Sequence, residues 1–207
     1  MLNLLRKDFI ALRSSLWTIG LYLVVFSLAF IPNHEMSMYF VGIYTAFGSV
    51  ILATMIDIKN HNHNFLVTLP VSRKNIVQAK YVSAILYTLF GVLASFGIHW
   101  LVHLNFPKLN KPSYTFMDIM VSIGMVLVLV SIYMPLFYAL SKRGAGIINA
   151  IFMVALILLA QPFAVLMTMV NEKGLDGQLI AMISIAIIFI FGASYVLTTY
   201  LFAKKDL

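Results

Sequence analysis

Side chains able to do chemistry are sparse in this 207-residue sequence, and each grouping breaks the pattern it begins. His99 and His103 stand four residues apart, the spacing that sets two imidazoles on one helical face in zinc proteases, but Trp100 occupies the position of the required glutamate. The pair reads instead as part of a polar and aromatic belt at a membrane surface. His61 and His63, in the run Asn60-His61-Asn62-His63-Asn64, lack an adjacent Asp, Glu or Cys to complete a metal site and read as a hydrated loop. Gly192-Ala193-Ser194-Tyr195-Val196 opens like a nucleophile elbow without its closing glycine, and reads as a small-residue helix contact. The absence of cysteine removes disulfides, thiolate metal sites and thiol nucleophiles. No G-x-x-x-x-G-K-S/T loop occurs, so this chain does not itself bind ATP through one. No catalytic residue, metal site or cofactor is expected within it.

The elements that would have to position any site are membrane spans. Hydrophobic residues make up 62% of the chain and charged residues 10%, with a mean hydropathy of +0.98. Soluble domains carry about 25% charged residues, so a water-soluble globule is excluded. Apolar runs of the length needed to cross about 30 Å of hydrocarbon predict six transmembrane helices, at Ser15 to Ile31, Met38 to Ile56, Tyr81 to Leu104, Met117 to Leu140, Ile147 to Val170 and Leu179 to Phe202. Pro32-Asn33, Pro107, Pro112, Gly144, Gly146, Gly174 and Gly177 fall at the breaks. Ser27-Leu28-Ala29 forms a small-x-small cleavage pattern, but a chain with five further spans is expected to keep its first helix as an anchor. The expected fold class is an all-α polytopic membrane protein, a single transmembrane domain over residues 1–207.

The net charge of +7 acquires meaning once it is sorted by side. With the N-terminus inside, the inner segments hold eleven of the 14 basic residues, from Arg6, Lys7 and Arg13 through Lys59, Arg73, Lys74, Lys80, Lys142 and Arg143 to Lys204 and Lys205. Lys108, Lys111 and Lys173 remain outside, with Glu35, Asp118, Glu172 and Asp176. This asymmetry predicts cytoplasmic N- and C-termini. It assigns the positive charge to anionic lipid and not to nucleic acid. No carboxylate falls at mid-membrane depth, which argues against a proton-driven or sodium-driven transporter.

Two inner segments carry information. Residues 1–14 predict an interfacial amphipathic helix, with Leu2, Leu5, Phe9 and Leu12 on one face and Asn3, Arg6, Lys7 and Arg13 off it. The longer segment, Asp57 to Lys80, is polar at first and then places Phe65, Leu66, Val67, Leu69 and Val71 around Pro70. Ser72 is a predicted N-cap, from which Arg73 to Lys80 run as a helix into the third span. The apolar residues must be buried, either on lipid headgroups or in a groove on a partner, with Arg73 and Lys74 facing its acidic rim.

The basic start Asn3-Leu4-Leu5-Arg6-Lys7-Asp8, the six spans and the stretch Leu69-Pro70-Val71-Ser72-Arg73-Lys74-Asn75-Ile76-Val77-Gln78-Ala79-Lys80-Tyr81 resemble the small bacterial ABC-2 type permeases. Nearest in character are permeases of antimicrobial-peptide export and immunity systems, including the phenol-soluble modulin exporters. The resemblance implies an exporter permease fold in the bacterial cell membrane and a coupling element in Asp57 to Lys80. It implies ATPase contacts from Phe65, Leu66, Leu69, Pro70, Ser72, Arg73 and Lys74, and ATP and magnesium bound by that partner. It further implies a twelve-helix assembly of this chain with a second copy or a related permease. Larger relatives carry a helical element outside between spans five and six, whereas Asn171 to Gln178 is short, which puts an outer gate of that kind in doubt.

The pathway has fewer markers. Pro162 and Pro135 are expected to kink the fifth and fourth spans, and Gln161 needs an interhelical partner. Gly42 with Ala46, and Gly146 with Ala150, have the spacing that permits close helix approach. So uncharged a pathway suits an amphipathic or hydrophobic substrate, such as a membrane-active peptide, a lipid or a hydrophobic antibiotic. The alternative is a non-transporting immunity or sensor protein whose inner loop binds a cytoplasmic partner.

Overall fold

The computed structural model describes residues 16–33, 36–59, 72–106, 114–140, 144–156, 158 and 177–204. All regular structure among them is helical: α1 Leu16–Phe30, α2 Ser37–Lys59, α3 Arg73–Asn105, α4 Phe116–Ala139, α5 Gly144–Leu156 and α6 Gly177–Ala203. α2, α3, α4 and the Ala181–Ala203 part of α6 are long and apolar enough to cross a membrane, while α1 and α5 are shorter apolar helices. The amphipathic start, His61, His63, Phe65, Leu66, Leu69, Pro70, Gln161 and Pro162 lie outside the described residues.

Local chemistry sets several ends. Ser72 has extended backbone angles (φ −65°, ψ 141°), and its hydroxyl accepts from Asn75 N–H at 3.3 Å, the geometry of an N-cap. Asp118, at the third position of α4, accepts from Thr115 N–H at 2.6 Å and from the Thr115 hydroxyl at 2.8 Å. Its carboxylate therefore sits at the positive end of the α4 dipole.

α2 is the central helix, with 78% of its apolar window buried against 11% for α6. It packs on α1, α3 and α4, and α6 packs on α3 and α4. Phe30 stacks on Phe40 and Tyr44, with ring centres 5.1 and 5.5 Å apart, to hold α1 against α2. Phe152 of α5 meets Phe47 and Tyr133 of α2 and α4, and Tyr44 donates to the Leu156 carbonyl at 2.6 Å. The tightest approach joins α2 to α3. A Cβ on Gly91 would lie 2.5 Å from the Ala46 nitrogen, and one on Gly42 would lie 3.6 Å from the Val92 backbone. Gly42 and Ala46 thus do permit close approach, Ala46 facing Gly91 and Gly42 facing Val92 and Ser95. Gly146 and Ala150 instead point outward, and nothing lies within 4 Å of a Cβ on Gly146.

Candidate functional site

Antiparallel packing of α2 on α3 gathers the chain's scarce polar groups at two ends. At one end, the starts of α2 and α4 meet the carboxyl-terminal half of α3. His99 Nδ1 lies 2.8 Å from the Ser95 carbonyl, and Nε2 lies 2.9 Å from the Ser37 hydroxyl. A carbonyl only accepts, so Nδ1 carries a proton, and in the neutral ring Nε2 accepts from Ser37. Ser95 donates to the Met38 carbonyl at 2.9 Å, while Met38 N–H donates to the Tyr114 hydroxyl at 3.3 Å. Tyr39 donates to the Asp118 carboxylate. His99 is therefore a buried interhelical link and not part of a surface belt, whereas His103 is exposed.

At the other end, the described parts of the predicted coupling segment are helical and largely packed. Asp57 falls within the last turn of α2 and forms an ion pair with Lys80 of α3, both side chains being more than nine-tenths buried. Two charges in such a place cost several kcal/mol each in lost hydration unless they are paired. Beside the pair is a cavity of about 10 Å³, room for about one water, bordered by Thr54, Lys80, Ser83, Tyr87 and Met134. The Thr54 hydroxyl meets that of Tyr133, which donates to Asn149 Oδ1 at 2.5 Å, so the polar contacts continue from α2 through α4 to α5.

Arg73 and Lys74 occupy the first turn of α3, where no acid is present and the helix dipole disfavours cations. Arg73 resolves this by reaching α6: Nη1 donates to the Ala203 carbonyl at 2.8 Å and to the Phe202 carbonyl at 3.2 Å. Those carbonyls belong to the negative end of the α6 dipole. Lys74 is exposed. Of the residues expected to meet an ATPase, Ser72, Arg73 and Lys74 thus share one helix start.

Pro135 lies inside an α4 that continues to Ala139. Having no N–H, it leaves the carbonyl of Ser131, four residues earlier, without its helical donor. Ser194 of α6 supplies one, its hydroxyl donating to that carbonyl at 2.7 Å. Thr198 in turn donates to the Ser194 carbonyl at 2.8 Å. Both hydroxyl oxygens then face the Tyr81 phenol of α3, each at 2.7 Å, as acceptors for its one proton. Pro135 is the origin of a three-helix polar knot.

Sequence reasoning read Ser194 as part of a helix contact but missed its partners, and it missed Asp57–Lys80 and Gly91. The available signal for the ion pair was an acid and a base flanking a loop between adjacent antiparallel spans. For Ser194 it was a hydroxyl in an apolar helix that requires a partner.

The family model described as ABC-2 family transporter protein matches residues 3–203. The chain therefore belongs to the ABC-2 transporter family, whose members are membrane transport components that work with an ABC ATPase. No curated protein and no solved structure matches the chain. Family and apolar helices together make it a multi-pass membrane protein.

Proposed function

We propose that this chain is the permease subunit of an ATP-driven ABC exporter in the bacterial cell membrane. Two copies, or this chain and a related permease, enclose a pathway for an amphipathic or hydrophobic substrate, with membrane-active peptides and hydrophobic antibiotics as the leading classes. A separate ATPase subunit binds ATP and magnesium and drives the cycle. The basic end of the bundle, with both termini, faces the cytoplasm.

One observation carries this reading in a chain of this family. α3 has 33 residues, about 50 Å at 1.5 Å per residue, against about 30 Å of hydrocarbon. Its start, Arg73 to Lys80, is a basic helical end packed on its inner side, with Ile76, Val77, Ala79 and Lys80 buried, and it presents Lys74 outward. Such an end is suited to docking on an acidic surface and to carrying movement into the membrane. Phe65, Leu66, Leu69 and Pro70 supply the apolar part of that contact in this reading. The exposed apolar side chains of α6, among them Met182, Ile185, Ile188 and Phe189, offer a surface for lipid and a second permease.

The test is co-expression with candidate ABC ATPase subunits from the same genome, followed by purification from membranes and reconstitution in vesicles. ATPase should copurify, and candidate peptides should raise its hydrolysis. Leu69→Asp should abolish the copurification while leaving the permease in the membrane. An ATPase that never copurifies, or a Leu69→Asp variant with unchanged partner binding and transport, overturns the proposal and favours the immunity or sensor reading.

A further inference from the structure

We infer that Arg73 is a positioning residue that makes the last helix part of the coupling machinery, so that α3 and α6 move as one body when the cytoplasmic segment is displaced. The inference rests on the exporter reading above and adds a route of motion to it. A pull on Asp57 to Lys80 would otherwise be expected to act on α2 and α3, the helices flanking that segment.

The contacts define a seam. Arg73 binds the carbonyls of Phe202 and Ala203, and two turns further along α3 the Tyr81 phenol meets Ser194 and Thr198. Eight residues separate the two levels on α3, about 12 Å of helix, and the matching levels on α6 are separated by a similar rise. At the Tyr81 level the ring also packs edge-on against Phe191 and Tyr195 at 5.2 and 5.5 Å. The upper level is internal to the bundle, a mesh of neutral hydroxyls and rings. The lower level depends on one exposed-end side chain that belongs to the segment itself.

Arginine suits this task for a physical reason. Its guanidinium presents a planar fan of donors and always carries charge, so it can hold two successive carbonyls and the negative end of a helix dipole together. Lysine supplies the charge without the fan, and glutamine a short donor without the charge. The same contact relieves the unfavourable position of Arg73 in its own helix, which gives the α3 start a preferred place against α6 and not merely proximity to it.

The native sequence contains no cysteine, so a spin-label pair at Gln78 and Lys204 gives a distance across the seam free of background. The full chain, reconstituted with its copurified ATPase, should show the same narrow distance without nucleotide and when trapped with ATP and vanadate. A control pair at Gln78 and Trp17 should change between those states. Arg73→Gln should broaden the first distance in the trapped state and lower transport per ATP about a hundredfold, the factor expected for loss of two charge-assisted hydrogen bonds at about tenfold each. Arg73→Lys should recover about half of the logarithmic loss, because charge alone supports one such contact. Transport is expressed per ATP hydrolysed by the copurified complex, so that a weaker ATPase contact does not enter the comparison. A bismaleimide cross-link between Arg73→Cys and Ala203→Cys should restore transport lost on removing the guanidinium. A wild-type Gln78 to Lys204 distance that shifts on trapping, a cross-link that arrests the cycle, or undiminished transport by Arg73→Gln overturns the inference while leaving the exporter reading intact. Failure of the wild-type chain to copurify with an ATPase overturns both.

Discussion

The two ends of the bundle are fastened by different chemistry. At the Asp118 end the links are hydrogen bonds between the starts of α2 and α4 and the carboxyl-terminal half of α3, two involving the main chain, Ser95 to the Met38 carbonyl and Met38 N–H to Tyr114, and one between side chains, Ser37 to His99. Its carboxylate is engaged three times over, by Tyr39 and by the Thr115 N–H and hydroxyl. At the basic end the links are charged and reach between helices, Asp57 to Lys80 and Arg73 to the final carbonyls of α6. The Arg73 guanidinium, at the end of its helix, can exchange its carbonyls for another anion, whereas the buried Asp57–Lys80 pair cannot do so without a cost of about 3–5 kcal/mol. The Asp118 end is therefore built as a fixed cap, and the basic end as the place where an external protein can change the fastening. That division fits the proposed permease, driven by a separate ATPase.

The largest test of this contrast is Lys80→Ala. Removing one partner of a buried pair leaves the other charge uncompensated, and the expected destabilisation is about 3–5 kcal/mol. Thermal unfolding in detergent should show it, with Asp57→Asn/Lys80→Met recovering most of the loss because neither charge then remains. If Lys80→Ala unfolds as the wild type does, the basic end is not held by that pair. Next in size is Tyr39→Phe at the opposite end. It removes one hydrogen bond to a carboxylate, worth about 1.5–3 kcal/mol. Thr115 still holds Asp118, so hydrogen exchange should rise at the starts of α2 and α4 and remain unchanged around Asp57 and Lys80. Spread of that exchange to the basic end would remove the distinction between the two ends.

What was legible in the sequence follows the range of the interactions. Helices α1 to α4 and α6 fall where continuous apolar runs place them, α5 covers the first part of the fifth expected span with the remainder outside the described residues, and the Ser72 cap was visible because capping is a local matter of three residues. Contacts between helices were not visible in the same way. Asp57 and Lys80 look like ordinary loop charges until α2 is seen to continue to Lys59 and α3 to begin at Arg73. Gly42 and Ala46 were readable as a small-residue pair on one helix, but only packing shows that Gly91 answers Ala46 from α3. Pro135 was legible as an irregularity and not as a donor-free position filled by a serine 59 residues later. His99 reads as a belt residue because its partner Ser37 lies 62 positions away.

Gly91→Ala addresses the region between the ends. A Cβ there would lie 2.5 Å from the Ala46 nitrogen and 2.6 Å from its Cα, both backbone atoms, so the helices must separate. Overpacking of this kind costs about 1–3 kcal/mol. Because α2 and α3 are shared by both ends, hydrogen exchange should rise at the Ser37–His99 link and at Asp57–Lys80 together, unlike the confined effect of Tyr39→Phe. A local response would mean that the two ends are insulated by the flexibility of the helices.

The smallest effect is the most diagnostic. Ser194→Ala removes the donor to the Ser131 carbonyl, and interhelical hydrogen bonds in membranes average about 0.6 kcal/mol with values up to about 1.7. The carbonyl needs that donor because Pro135 has no N–H to give it. Pro135→Ala should supply the missing helical bond, so Ser194→Ala should cost less in the Pro135→Ala background than in the wild type. A double-mutant cycle by reversible unfolding isolates the difference. Positive coupling ties the proline to α6 and makes the α3, α4 and α6 knot one cooperative unit beside the charged basic end. Strict additivity would mean that the Ser131 carbonyl is satisfied without Ser194, and the knot would then reduce to the contacts of Tyr81 with α6.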